Sequence, residues 1–178
     1  MSACATCDGF FYRGKVVAVV GGGDSACEEA TYLASLCRKV YMVVRKEFLR
    51  ASKAMQERVF ATENIEVLFG HHTDEVLGDG SGVTGVRLVD PAGQKREYAI
   101  DGFFLAIGHH PNTELFRDAL QLDGEGYIVT EPGSSRTGFE GVFAAGDVRD
   151  PHYRQAITAA GSGCMAALDC ERFLAAQK

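Results

Sequence analysis

Lys15-Val16-Val17-Ala18-Val19-Val20-Gly21-Gly22-Gly23-Asp24-Ser25-Ala26 decides how this chain folds. Residues 16 to 20 are apolar and mostly β-branched, with no polar alternation, which predicts a parallel strand buried on both faces. The G-x-G-x-x-A at Gly21, Gly23 and Ala26 lets the backbone turn sharply and approach a pyrophosphate closely. A helix predicted from Ser25 to Leu36 carries Cys27, Ala30, Leu33 and Ala34 on one face, and its first unpaired N–H groups point at that anion. Lys39 to Val44 then predicts a second strand. A glycine turn with no ligand is the plainer alternative, but strand, helix and second strand all fall where a dinucleotide site needs them.

Working outward, a helix is expected from Ser52 to Thr62 and a strand over Ile65 to Phe69. Residues 74–78, 82–89 and 96–100 alternate apolar and polar residues around Gly and Asp turns, which predicts an antiparallel meander. Gly102 to Gly108 reads as another buried strand, and His109 to Thr113, with Pro111, as a linker or hinge. Beyond it, Tyr127 to Thr130 and Gly141 to Asp147 predict two strands, and Tyr153 to Ala176 a long helix. The expected fold class is α/β: a three-layer, Rossmann-like nucleotide-binding domain with an antiparallel meander over residues 1–109, then a smaller unit over 110–178. That second unit is too small to bury an adequate core alone.

Composition narrows the functions. The 178 residues are 46% hydrophobic and 24% charged, as for a globular protein, and the net charge of −6 argues against nucleic acid or an anionic membrane as partner. No apolar run approaches the roughly 20 residues that span a bilayer, and the first residues lack the features of a signal peptide. The expectation is a cytoplasmic protein. Of six cysteines, Cys27, Cys37, Cys164 and Cys170 lie among alanines and leucines in segments read as helices, where small buried apolar residues are expected.

Cys4-Ala5-Thr6-Cys7-Asp8 is different: a C-x-x-C beside βαβ patterning reads as redox-active or metal-binding. Zinc would need two more ligands, and His71-His72 and His109-His110 lack the paired spacing. No metal is expected. The dithiol lies only fourteen residues before Gly21, so electrons should pass from a nicotinamide to a disulfide, usually through a flavin. An NAD site places Asp or Glu at the end of its second strand. Here stand Val44-Arg45-Lys46 and, one turn on, Arg50. Three cations suit a 2′-phosphate, so NADPH is expected over NADH, with a solvated basic loop as the plainer reading.

Cys4 to Arg13 followed by Val20 to Ala26 closely resembles the low-molecular-weight, bacterial-type thioredoxin reductases. Arg45 to Ala51 resembles their HRRDxFRA segment, with Val44 for its histidine and Lys46 for its second arginine. Residues 106–113 resemble the junction between their NADPH and FAD domains, and residues 141–148 and 153–163 their C-terminal FAD segment. The resemblance implies that Cys4 and Cys7 form the redox disulfide, with Cys7 nearest the flavin and Asp8 as acid/base. A carboxylate beside a thiolate pair is expected to have a raised proton affinity. It implies NADPH binding by Gly21, Gly22, Gly23, Asp24, Ser25, Arg45, Lys46 and Arg50, with Ile107 at the domain junction. FAD contacts fall on Gly146, Asp147, Arg154, Gln155 and Ala156. It further implies thioredoxin as partner, a homodimer, and rotation of one domain against the other at hinges near Arg13-Gly14 and Gly108 to Thr113.

In that family the glycine fingerprint for the ADP half of FAD lies upstream of the dithiol, and this sequence contains no second fingerprint. The resemblance therefore implies a C-terminal portion of such an enzyme: an NADPH domain plus a remnant of the FAD domain, the FAD site incomplete. Apolar surface is then expected along Val142 to Ala145 and the last helix. A nucleotide-binding module without turnover is the alternative. The flavoprotein component of alkyl hydroperoxide reductase fits less well, because Ala5-Thr6, Phe10-Phe11 and the basic cluster depart from its pattern. Related ferredoxin reductases lack the dithiol, and lipoamide-dehydrogenase-like enzymes place a C-x4-C elsewhere.

Overall fold

The computed structural model describes residues 1–177. The chain divides into two compact units, Met1–Gly108 and a second beginning at His109. In the first, α1 (Ala5–Asp8) precedes β1 (Val16–Val20), α2 (Asp24–Leu36), β2 (Lys39–Val44), α3 (Lys53–Ala61) and β3 (Ile65–Phe69). There follow β4 (His72–Asp79), β5 (Gly82–Val89), β6 (Lys95–Ala99) and β7 (Gly102–Leu105). A four-stranded parallel sheet runs β3-β2-β1-β7, with Val17 opposite Val40 and Gly102, and Val19 opposite Met42 and Phe104. A three-stranded antiparallel sheet runs β4-β5-β6.

Strand alternation builds three layers from this. Val17, Val19, Val40 and Met42 pack with Ala26, Ala30 and Leu33 of α2. Ala18, Val43 and Phe103 point to the other face and pack with Val86 and Leu88 of β5 and with Ile100. Alanines at 26 and 30, both fully buried, let α2 lie close to the sheet. Leu33 is equally buried, and its truncation to alanine would cost about 2–5 kcal/mol.

The residues before β1 belong to the same unit. Ser2 lies parallel to Phe104, its N–H donating to the Phe103 carbonyl at 2.9 Å while its own carbonyl accepts from Leu105 at 2.9 Å. Arg13-Gly14, expected as a hinge, is thus internal to the first unit, where the Gly14 N–H donates to Leu36 at 2.9 Å.

The second unit corrects two expectations. Tyr127 to Thr130 and Gly141 to Asp147 are not regular strands; they make only the single bridges Leu122 to Ile128, Thr130 to Thr137 and Arg136 to Phe143. The long helix, α4, spans Ala156–Ala176 and starts three residues later than Tyr153. Its start is displaced because the Asp150 carboxylate accepts the N–H groups of His152, Tyr153 and Arg154 at 2.9–3.0 Å, holding a non-helical loop. None of its residues is buried, and Ile157 is 80% exposed. Asp169 ties it to the unit, accepting from Ser135 Oγ at 2.7 Å, Ser135 N at 3.1 Å and Ser134 Oγ at 3.1 Å. Val142 is exposed as expected, but Ala144 is buried. Among the described residues no helix is long and apolar enough to cross a membrane.

Candidate active site

Cys4 and Cys7 form a disulfide, with their Cα atoms 5.3 Å apart. Cys4 is the N-cap of α1, and its Sγ accepts from the Cys7 N–H at 3.2 Å. The Cys4 N–H donates to Ser2 Oγ at 3.0 Å, and the Asp8 N–H to the Cys4 carbonyl at 3.1 Å. Cys7 is an exposed residue and Cys4 a half-buried one. Asp8 is half-buried directly after it. Phe10 and Phe11 stand exposed next in the chain.

The other four cysteines separate by environment. Cys27 and Cys37 are buried free thiols. Burial, helped by Asp24 and Glu28, pushes the Cys27 thiol up to about 11, and burial with Asp101 does the same for Cys37. Cys164 is exposed and Cys170 half-exposed, against the expectation of buried residues, because α4 presents no buried face.

The glycine turn opens one wall of a cleft of about 610 Å³. Gly21 has φ +150°, and a Cβ there would overlap the Ala106 carbonyl oxygen, so no side chain fits. Gly23 caps α2 without a side-chain hydrogen bond, and a Cβ on it would meet nothing within 4 Å. The first N–H groups of α2 are therefore approachable by an anion. Gly21, Gly22, Arg45, Lys46, Arg50 and Ile107 all line the cleft, whereas Gly23, Asp24 and Ser25 stand at the helix start outside its lining.

Two hydrogen bonds fasten the basic loop to the turn. The Arg50 N–H donates to the Gly22 carbonyl at 2.7 Å, and the Ser52 N–H to Asp24 Oδ1 at 3.0 Å. The second bond lowers the Asp24 pKa. Leu49, only 4% exposed, anchors the loop from below, while Arg45, Lys46 and Arg50 are exposed and make no ion pair among the described residues. Glu47 points elsewhere, over Gly70, where a Cβ would meet its Oε1 at 2.5 Å. Sequence reasoning missed Phe48, His71 and His72 as cleft residues. Phe48 is exposed with Lys46 Nζ 5.3 Å from its ring centre, and its place between two cations was the available signal. Neither Cys4 nor Cys7 is among the residues that line the cleft.

In the second unit, Asp147 and Arg154 line a smaller pocket of about 190 Å³ with His109, His110, Pro111 and Asn112. Gly146 sits in the turn before Asp147, its N–H donating to Ser162 Oγ at 3.0 Å. Gln155 and Ala156 are the N-cap and first residue of α4, and Gln155 forms a capping box with Thr158. Arg154 has φ +47°, a costly conformation for a long side chain that marks an over-determined loop. Its guanidinium reaches the Pro151 carbonyl and, at 3.4 Å, the Tyr127 hydroxyl.

Residues 1–163 match the pyridine nucleotide-disulphide oxidoreductase family. The chain belongs to this family. Thioredoxin reductase from Yarrowia lipolytica is 50% identical over all of this chain and 57% of its own length. A thioredoxin reductase structure from Giardia duodenalis is 47% identical with a TM-score of 0.85, over 98% of this chain and 57% of that one. A protein named glucosaminate ammonia-lyase, from Pseudomonas fluorescens, is 52% identical over 98% of this chain and 56% of its own length. The chain thus spans somewhat more than half the length of the relatives it matches. The α/β fold, with a parallel sheet layered on an antiparallel one, is the fold of the family's thioredoxin reductases.

Proposed function

We propose that the whole protein is an NADPH-dependent flavoprotein disulfide reductase that reduces thioredoxin through Cys4 and Cys7. The observation that carries this reading is the joint presence, in one unit, of the Cys4–Cys7 disulfide and a glycine-turned cleft rimmed by Arg45, Lys46 and Arg50. Gly21, Gly22 and Gly23 admit the pyrophosphate to the start of α2, with Asp24 and Ser25 shaping that turn. The three cations hold the 2′-phosphate, and Ile107 supplies an apolar contact. In the second unit Asp147 and Arg154, with Gly146, Gln155 and Ala156, hold part of FAD. NADPH held in the cleft would supply two electrons as hydride, and FAD held by the second unit would be the group that relays that pair to the Cys4–Cys7 disulfide. The dithiol then attacks the disulfide of thioredoxin. One thiolate forms a mixed disulfide, the second displaces it, and Asp8 carries the proton to the leaving sulfur.

Residues 1–109 act in this reading as the NADPH-binding domain and 110–178 as part of the FAD-binding domain. The family resemblance adds a homodimer, and a cytoplasmic address is proposed with it. The small Asp147 pocket also supports a narrower reading for the 178 residues by themselves, as a nucleotide-binding module with little turnover.

The test needs no flavin. The chain is reduced with dithiothreitol, desalted and mixed with oxidised thioredoxin. Wild type should hand over one pair of electrons per chain, and Cys7→Ser none. Transfer undiminished by Cys7→Ser sinks the assignment, and ammonia release from glucosaminate would favour the lyase. An absorption spectrum separates the whole-enzyme reading from the narrower one: a flavin band after incubation with FAD supports the former, a colourless protein the latter.

A further inference from the structure

His71 and Phe48 line the cleft, and none of the roles above uses them. The cleft spans the carboxyl ends of all four parallel strands, with Ile107 after β7, Gly21 after β1, Arg45 after β2 and His71 after β3. A pyrophosphate at Gly21 and a 2′-phosphate at the cations fix two points of a dinucleotide along that row. Its nicotinamide half then runs toward β7, and the base of its other half toward β3. Neighbouring strands lie about 4.8 Å apart, so β3 ends roughly 10 Å from β1, a gap that one ribose and a purine cover.

The turn after β3 is fastened at that place. Gly70, at φ +67°, folds the chain back, and its N–H donates to the Lys46 carbonyl at 3.2 Å. The His71 N–H donates to the Val44 carbonyl at 3.2 Å. Both bonds join the turn to the main chain that carries the cations. The His71 ring is held as well, its Nδ1 lying 2.6 Å from the Phe69 carbonyl oxygen. A carbonyl only accepts, so Nδ1 carries the proton, and Nε2 of the neutral ring is an acceptor. Nε2 has no hydrogen-bond partner among the described residues. Phe48, on the cationic loop, is 56% exposed with Lys46 over its ring. An exposed ring on a cleft wall is a stacking platform for a planar base.

We propose that His71 and Phe48 hold the adenine of NADPH, His71 selecting the base and Phe48 supplying affinity. The inference rests on the NADPH reading of the cleft given above. Adenine carries an exocyclic amine, a donor, where hypoxanthine carries a carbonyl, an acceptor. Nε2 of His71 accepts from the amine and meets only another acceptor in the carbonyl. Phe48 stacks on either purine, because every base has a π-face. Selectivity and affinity thus fall on different residues and can be separated.

The test is calorimetric binding of NADPH and of the reduced nicotinamide hypoxanthine dinucleotide phosphate to wild type, His71→Phe and Phe48→Ala. It is run at about pH 8, above the ordinary imidazole range. Wild type should prefer the adenine dinucleotide roughly tenfold, the size of one hydrogen bond lost with its acceptor left unpaired. His71→Phe keeps an aromatic ring without nitrogens and should bring the two dinucleotides within about twofold of each other. Phe48→Ala should weaken both by roughly tenfold and keep the preference. Equal binding of the two by wild type overturns the proposal, and that comparison needs no variant to fold. A preference that survives His71→Phe overturns it too, as does a Phe48→Ala chain that binds like wild type. If wild type binds neither dinucleotide, the NADPH reading falls together with this one, so the two failures are told apart.

Discussion

The backbone N–H of Arg50 donates to the carbonyl oxygen of Gly22 at 2.7 Å, tying the cationic loop after β2 to the glycine turn after β1. Because the bond uses only main-chain atoms, it survives side-chain truncation at Arg50. The cations can therefore be removed one at a time without moving the turn. Arg45→Ala and Arg50→Ala should each leave the melting temperature nearly unchanged, since both side chains are exposed and make no ion pair among the described residues. Each should weaken NADPH binding about tenfold, the size of one charge-assisted hydrogen bond. NADH, lacking the 2′-phosphate, should lose much less. Calorimetric titration of both nucleotides checks this, and an unchanged preference would remove the 2′-phosphate argument.

Gly21 and Gly23 should respond in opposite ways. Alanine at 21 drives a Cβ into the Ala106 carbonyl oxygen with φ at +150°, so the turn cannot close as it does now. Gly21→Ala should lose several degrees of melting temperature and all measurable nucleotide binding. Alanine at 23 meets no atom within 4 Å and has an ordinary φ of −95°. Gly23→Ala should keep its stability and still bind nucleotide more weakly, because the methyl occupies the space through which a pyrophosphate reaches α2. A thermal melt and a titration on the same two samples decide it.

The first unit was legible because its signals are local and agree with one another. The β-branched run, the glycine spacing and the alanine face of α2 all specify one arrangement, and β3 over Ile65–Phe69 falls where its apolar run lies. The second unit was read less well. Tyr127 to Thr130 and Gly141 to Asp147 are apolar enough for strands, yet apolarity predicts burial and not the neighbour that a strand must pair with. Ile128 shows the difference: it is buried as an apolar residue should be, but among the described residues its ladder pairing is a single bridge to Leu122. The start of α4 was misplaced because Asp150 competes for backbone N–H groups, a side-chain effect that periodicity does not register. In the cleft, the cations announced themselves by charge, while Phe48 and the two histidines of the β3–β4 turn needed the third dimension.

Asp169 gives α4 an acid-sensitive anchor. The Ser135 hydroxyl and N–H, with Ser134, hold its carboxyl below the ordinary carboxylate range, against a small opposing effect of burial. A depressed folded-state pKa means stability that is complete above the unfolded value near 3.8 and is lost as pH falls through the folded one. Asp169→Asn should lower the melting temperature at neutral pH and flatten its decline in acid. Melts from about pH 7 down to about pH 3 test the sign. A variant whose acid decline parallels wild type would remove Asp169 from the account.

Thiol reactivity should sort the six cysteines into three pairs. With the disulfide intact, a thiol reagent at about pH 7.5 should label Cys164 and, more slowly, Cys170, since the thiolate is the reactive species and these two reach solvent. Cys27 and Cys37 should stay unlabelled in the native protein, being buried and pushed up to about 11. A raised folded-state pKa keeps them neutral, and the stability they contribute is lost only as pH climbs through that range. After dithiothreitol the count should rise by two, Cys7 reacting before Cys4 because it is the exposed partner. Peptide mapping of the labelled chain identifies the sites. Rapid native labelling of Cys27 or Cys37 would contradict the packing of α2 against the sheet, and with it the placement of the glycine turn that α2 carries.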